Sequence, residues 1–196
     1  MRKPLLMALA AGCLAAALAT AVPAAAQDGQ TDQKAMEEMM MKLAAPGAPH
    51  QHLATLAGNW MATTTMYMDG ATPTTSTGKV TYEVVLGGRY VLGRYQMSFM
   101  GQPMEGLSVD GYDNMKQEYF SLWFDTMGTG FYEARGKASA DGKTVALAGT
   151  MEMGPMQIPS RSETVFVDKD TVRFTMWQSM GGQEMKAMEM EYKRAK

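Results

Sequence analysis

Thioether sulfur is the most plentiful reactive group in this sequence, which holds 22 methionines among 196 residues but one cysteine and two histidines. Three methionine pairs, Met66/Met68, Met151/Met153 and Met188/Met190, stand two residues apart. In a strand that spacing puts both members on one face. Thioethers are soft ligands suited to Cu(I), so the pairs raise a copper- or silver-binding reading. The competing reading takes methionine as adaptable filler around a roomy apolar space. The pairs fall at positions expected to face inward, so filler is preferred and metal binding is the alternative. No cofactor and no metal are expected.

Other reactive groups are sparse. His50 and His52 form a His-x-His beside Pro49 and read as solvated side chains. Beyond His52 there is neither histidine nor cysteine, so nucleophilic catalysis of the Ser-His or Cys-His kind has no parts there. A barrel that holds haem through a histidine has no ligand there either. Asp110, Asp113 and Asp125 are scattered over strand ends and turns, where carboxylates are expected to be solvated or capping. A barrel enzyme using Tyr and Asp as acid and base is the least supported reading. Gly128-Thr129-Gly130 lacks the lysine and helix of a phosphate loop. Arg89 shares the parity of Val91 and Tyr95, and a guanidinium there could grip a ligand carboxylate with two parallel bonds. The alternative is an ion pair with an Asp at the rim.

These groups must be positioned by strands. Asp32 reads as the N-cap of a helix reaching about Ala45, where Pro46 and Gly47 break it, with Met36, Met39, Met40 and Leu43 on one face. Gln27 to Gln33 reads as a tether. From Asn59 onward ten β-type segments follow, at about 59–68, 76–86, 88–99, 103–112, 117–125, 129–137, 143–153, 158–167, 171–179 and 184–194. Turn signals such as Asp69-Gly70, Gly87-Gly88, Asp113-Asn114, Asp141-Gly142 and Gly181-Gly182 separate them. Short links make all neighbours antiparallel, and a meander this long closes on itself to remove its edges.

Alternation predicts Val80, Tyr82 and Val84 inward, then Val91, Tyr95, Met97 and Phe99. It predicts the same for Val145, Leu147, Met151 and Met153, for Val172, Phe174 and Met176, and for Met188, Met190 and Tyr192. The segments 103–112, 117–125 and 129–137 alternate too poorly to assign a face. Closure of the last strand on the first brings Arg194 onto Trp60, a cation–π contact expected to act structurally.

Residues 1–26 carry Arg2 and Lys3, an Ala-rich apolar run, and Ala24-Ala25-Ala26 before a polar turn. This is the pattern of a cleaved signal peptide. Ala11-Gly12-Cys13 resembles a lipobox end, but Ala10 stands where Leu is usual and apolar sequence follows. Export to the periplasm or beyond is expected. With 18 basic residues against 20 acidic and no basic run, nucleic acid is not an expected partner. No stable membrane insertion is expected once the signal is removed.

The helix-to-strand opening Gly58-Asn59-Trp60 resembles that of calycin barrels, the lipocalins and fatty-acid-binding proteins. Further runs resemble a bacterial family known as domain of unknown function 1579. They are Leu43-Ala44-Ala45-Pro46-Gly47-Ala48-Pro49-His50, Leu86-Gly87-Gly88-Arg89-Tyr90, Glu105-Gly106 with Gly111-Tyr112-Asp113-Asn114, Asp125 to Gly130, and Met188-Glu189-Met190-Glu191-Tyr192. The resemblance implies a calycin-like barrel and no established activity.

The expectation is therefore an all-β, antiparallel up-and-down barrel of about ten strands over 58–196, with tether and helical segments over 27–57. Its expected role is to bind a small apolar or amphipathic molecule without turnover. The expected lining is Met66, Met68, Tyr82, Tyr95, Met97, Met151, Met176 and Met190, with Arg89 as polar anchor. Gly58, Trp60 and Arg194 are expected to be structural.

Overall fold

In the computed structural model, residues 24–68 and 72–196 are described. Residues 1–23, which hold most of the expected signal segment and Cys13, lie outside this range, as does the Asp69-Gly70 turn. The described residues up to Met41 belong to one unit and Lys42–Lys196 to another. The helix α1 (Ala24–Ala44) begins ahead of Asp32 and takes in the stretch expected as a tether. Its Met36, Met39, Met40 and Met41 are exposed. No described helix is long and apolar enough to cross a membrane.

In the second unit, α2 (Ala48–Ala54) has Pro49 in its first turn, where proline has no hydrogen bond to lose. Ten strands follow: β1 (Gly58–Met66), β2 (Thr74–Val85), β3 (Tyr90–Phe99), β4 (Gln102–Asp113), β5 (Glu118–Asp125), β6 (Tyr132–Ala138), β7 (Thr144–Met153), β8 (Met156–Asp168), β9 (Thr171–Met180) and β10 (Gln183–Arg194). Each pairs antiparallel with the next, and β1 pairs with β10, closing the barrel. The hairpins β1–β2, β3–β4, β5–β6, β7–β8 and β9–β10 share one end, and α2 sits at the other.

The closed end is the core. Trp60, Val80, Val91, Val145, Val172 and Tyr192 point into it, and Leu53 and Leu56 of the α2 segment fill its centre. Burying each such leucine contributes about 1.5–3 kcal/mol. Gly58 adopts φ +118°, which turns the chain from α2 into β1 and leaves room for the Arg194 guanidinium at 3.0 Å from where a Cβ would stand. Trp60 Nε1 donates to the Leu56 carbonyl at 2.7 Å. Arg194 lies 4.1 Å from the Trp60 ring centre and donates to the carbonyls of Ala57, Thr55 and Lys169. One side chain thus ties the last strand to the loop after α2.

The histidines belong to this plug and are not solvated. His50 is buried: its Nδ1 accepts the Gly47 N–H at 3.0 Å, and its ring meets Tyr112 edge-on. His52 is half-buried, with its ring centre 4.1 Å from that of Phe166. Burial lowers the pKa of both. They pack because α2 turns this face down onto the barrel end.

Candidate functional site

Inside the barrel, above the plug, lies a belt of polar side chains. Tyr82 (β2) and Tyr95 (β3) face each other through their hydroxyls at 2.6 Å, and Tyr192 (β10) tilts against Tyr82. Across the same space Ser108 (β4) donates to Asp110 at 2.8 Å, and Ser121 (β5) also bonds that carboxyl. The three strands meet closely here because Gly93 (β3) has no side chain. A Cβ on it would stand 2.5 Å from Ser108 Oγ, 2.7 Å from the Tyr82 ring and 2.9 Å from that of Tyr95.

Desolvation governs the charge of this belt. It raises the Tyr95 pKa to about 12 and those of Tyr82 and Tyr192 well above the ordinary phenol value. Burial raises the Asp110 carboxyl as well, against hydrogen bonds from Ser121 and Ser108 that favour its charged form. Phenols held this high stay neutral near pH 7 and act there as hydrogen-bonding groups. Asp110, expected as a solvated carboxylate, instead faces the interior.

Toward the open end the inner wall becomes mostly apolar, with Trp123, Leu147, Phe174 and Met188 packed against the core. Ser121, Trp123, Leu147, Phe174 and Met188 face inward yet keep partial accessibility. Trp123 stands edge-on to Tyr95 at 4.8 Å and donates its Nε1–H to Asp125 at 2.7 Å. Met151 Sδ accepts from Gln178 Nε2 at 3.0 Å, and Met190 Sδ accepts from the Tyr192 hydroxyl at 3.2 Å.

The structure brings Met66, Tyr82, Tyr95, Met97, Met151, Met176 and Met190 to this inner wall. Two expected lining residues fall elsewhere. Met68 lies beyond the end of β1 and is 49% exposed. Arg89 precedes β3 in an αR conformation after the 3-10 turn Leu86–Gly88, so strand parity does not reach it. Its Nη1 donates to the Leu86 carbonyl at 3.1 Å. It borders a recess of about 400 Å³ at the closed end, with His50, Tyr90, Asn114, Phe120 and Arg135. Among described inner-wall residues the one basic side chain is Arg194, which the plug occupies. Methionine as interior filler also needs correction, because Met36, Met39, Met40, Met41, Met61, Met68, Met100, Met115, Met127, Met153, Met156 and Met180 are exposed.

A family model described as "Protein of unknown function (DUF1579)" matches residues 45–194. The chain belongs to this family. Its barrel resembles that of Rv2717c from M. tuberculosis, with a TM-score of 0.57 and 12% identity over 78% of this chain and 100% of that one. It also resembles the S-type phycobiliprotein lyase CPES from Guillardia theta, with a TM-score of 0.51 and 9% identity over 77% of this chain and 99% of that one. At such identities the likeness establishes the calycin-like fold alone. A search of curated proteins finds no match.

Proposed function

We propose that this DUF1579 barrel binds a small amphipathic molecule, without chemical turnover, in the space between the tyrosine–aspartate belt and the open end. The observation that carries the reading is an inner wall that stays accessible at Trp123, Phe174 and Met188 while ending on hydroxyls and a carboxyl. Such pockets are mostly apolar, with a few polar groups that fix orientation. With Asp110 in the wall and Arg89 outside it, the favoured head group is neutral or basic, such as an alcohol, a carbonyl or an amine, and not a carboxylate. One fold neighbour is by name a phycobiliprotein lyase, and the reading borrows no activity from it. We also place the mature protein outside the cytoplasm, which N-terminal sequencing of the native protein tests.

Delipidated protein titrated with a long-chain alcohol, the matching amine and the matching fatty acid tests the binding reading, with Trp fluorescence as the readout. Uptake of the first two in preference to the acid is expected. Met176→Trp should fill the space and abolish uptake while the barrel stays folded by circular dichroism. Absence of uptake of all three overturns the reading.

A further inference from the structure

Three methionines stand side by side on the inner wall near the open end. Met66 of β1 is the direct cross-strand partner of Met188 of β10, and Met188 is the direct partner of Met176 of β9. All three face inward. Met66 continues the parity of the buried Trp60, Ala62 and Thr64; Met176 is itself buried, and Met188 packs against the core. Directly opposed residues carry their Cβ atoms about 4.5–5.5 Å apart. A methionine side chain has three rotatable bonds and can carry its sulfur across such a gap. On the concave side of a barrel wall, side chains from adjacent strands converge, whereas on the outer side they splay.

The chemistry around this row is soft throughout. The neighbouring sulfurs of Met151 and Met190 are engaged by Gln178 and Tyr192, but the hydrogen bonds among the described residues include none to the sulfurs of Met66, Met176 or Met188. No group of three His, Cys, Asp or Glu suited to a hard or borderline ion occurs among the described residues. The approach carries thioethers as well. Every hairpin at the open end has an exposed methionine: Met68, Met100, Met127, Met153 with Met156, and Met180. Turns at the closed end have Met115.

We propose that Met66, Met176 and Met188 form a three-thioether site for a soft monovalent cation, Cu(I) or Ag(I). Neutral sulfur donors without thiolate or imidazole suit such an ion and discriminate against Zn²⁺, Mg²⁺ and Ca²⁺. The row Thr64, Met190 and Phe174 separates the site from Tyr192 and the polar belt, while Met176 and Met188 are shared with the space proposed above for an amphipathic ligand.

The test uses the full chain in chloride-free buffer. Ag(I) is titrated by calorimetry, and Cu(I) held reduced by ascorbate is competed against a Cu(I) chelator. One ion retained at the row is expected, with sulfur-only coordination in X-ray absorption. Met188→Leu, which keeps the volume, should abolish that uptake, while Met61→Leu on the outer wall should leave it unchanged. Circular dichroism of each variant reports the fold separately. No uptake by the parent, or uptake that survives Met66→Leu, Met176→Leu and Met188→Leu combined, overturns the proposal.

Discussion

Tyr82 and Tyr95 touch hydroxyl to hydroxyl at 2.6 Å only because Gly93 leaves their rings and the Ser108 hydroxyl room over its Cα. The crowding involves three side chains from three strands, so no single one can yield. Gly93→Ala is expected to cost roughly 1–3 kcal/mol, the scale of overpacking a close-packed site. Urea unfolding checks the cost, and a shift in tyrosine absorbance checks that the pair has parted.

Closure of the barrel rests on Trp60 and Arg194. Trp60→Ala should cost about 3–5 kcal/mol, as for a buried aromatic. Arg194→Ala removes the partner of three carbonyls and should cost about 1.5–3 kcal/mol on the scale of charged hydrogen bonds. Arg194→Lys should recover little, since an ammonium cannot reproduce a planar fork that both stacks and donates. Equilibrium denaturation of the three variants decides it.

Asp110 gives a pH signature. Its folded pKa is raised above the ordinary 3.8 by burial, so the native state holds the proton more tightly than the unfolded chain. Stability from this group is therefore full at low pH and falls as pH rises through the folded value. Asp110→Asn should be more stable than the parent at pH 7, and the gap should close as pH drops toward the ordinary carboxylate range. Unfolding midpoints measured across that range provide the check.

His50 and His52 act in the opposite sense. Their folded pKa values are lowered from 6.5, so the unfolded chain binds protons that the plug resists. Stability from this pair is present above about pH 6.5 and is lost on acidification below it. Replacing His52 with Phe should flatten that acid limb, because Phe stacks on Phe166 and cannot protonate. Thermal unfolding between pH 7 and 5 gives the comparison.

The strands were legible in the sequence wherever outward positions carry charge, as with Lys79 and Glu83 in β2 or Glu189, Glu191 and Lys193 in β10. In β4 and β5 the polarity is reversed. Ser108, Asp110 and Ser121 face in, while Leu107, Val109, Leu122 and Phe124 face out. Alternation read as polar-out therefore fails there, and the belt's carboxyl went with it. A signal was available, since inward Tyr95 in β3 sits opposite Gly106, which fixes the parity of all of β4. Arg89 was misplaced because parity was carried back past Tyr90, where β3 begins, onto an αR residue that follows the positive-φ turn Leu86–Gly88. The rim methionines had a sequence mark too: Met100, Met127, Met153 and Met180 each immediately precede a glycine of a turn.

The seam of the barrel joins β1 to β10, the first strand to be synthesised and the last. While β10 is still within the ribosomal tunnel, β1 has only β2 to pair with, and the plug lacks the arginine that locks it. The nascent ring stays open, its interior wet and its edge on β1 unpaired, until synthesis of the barrel sequence is complete. Closure of the barrel therefore waits on its last strand, and the carbonyls that Arg194 ties together wait with it.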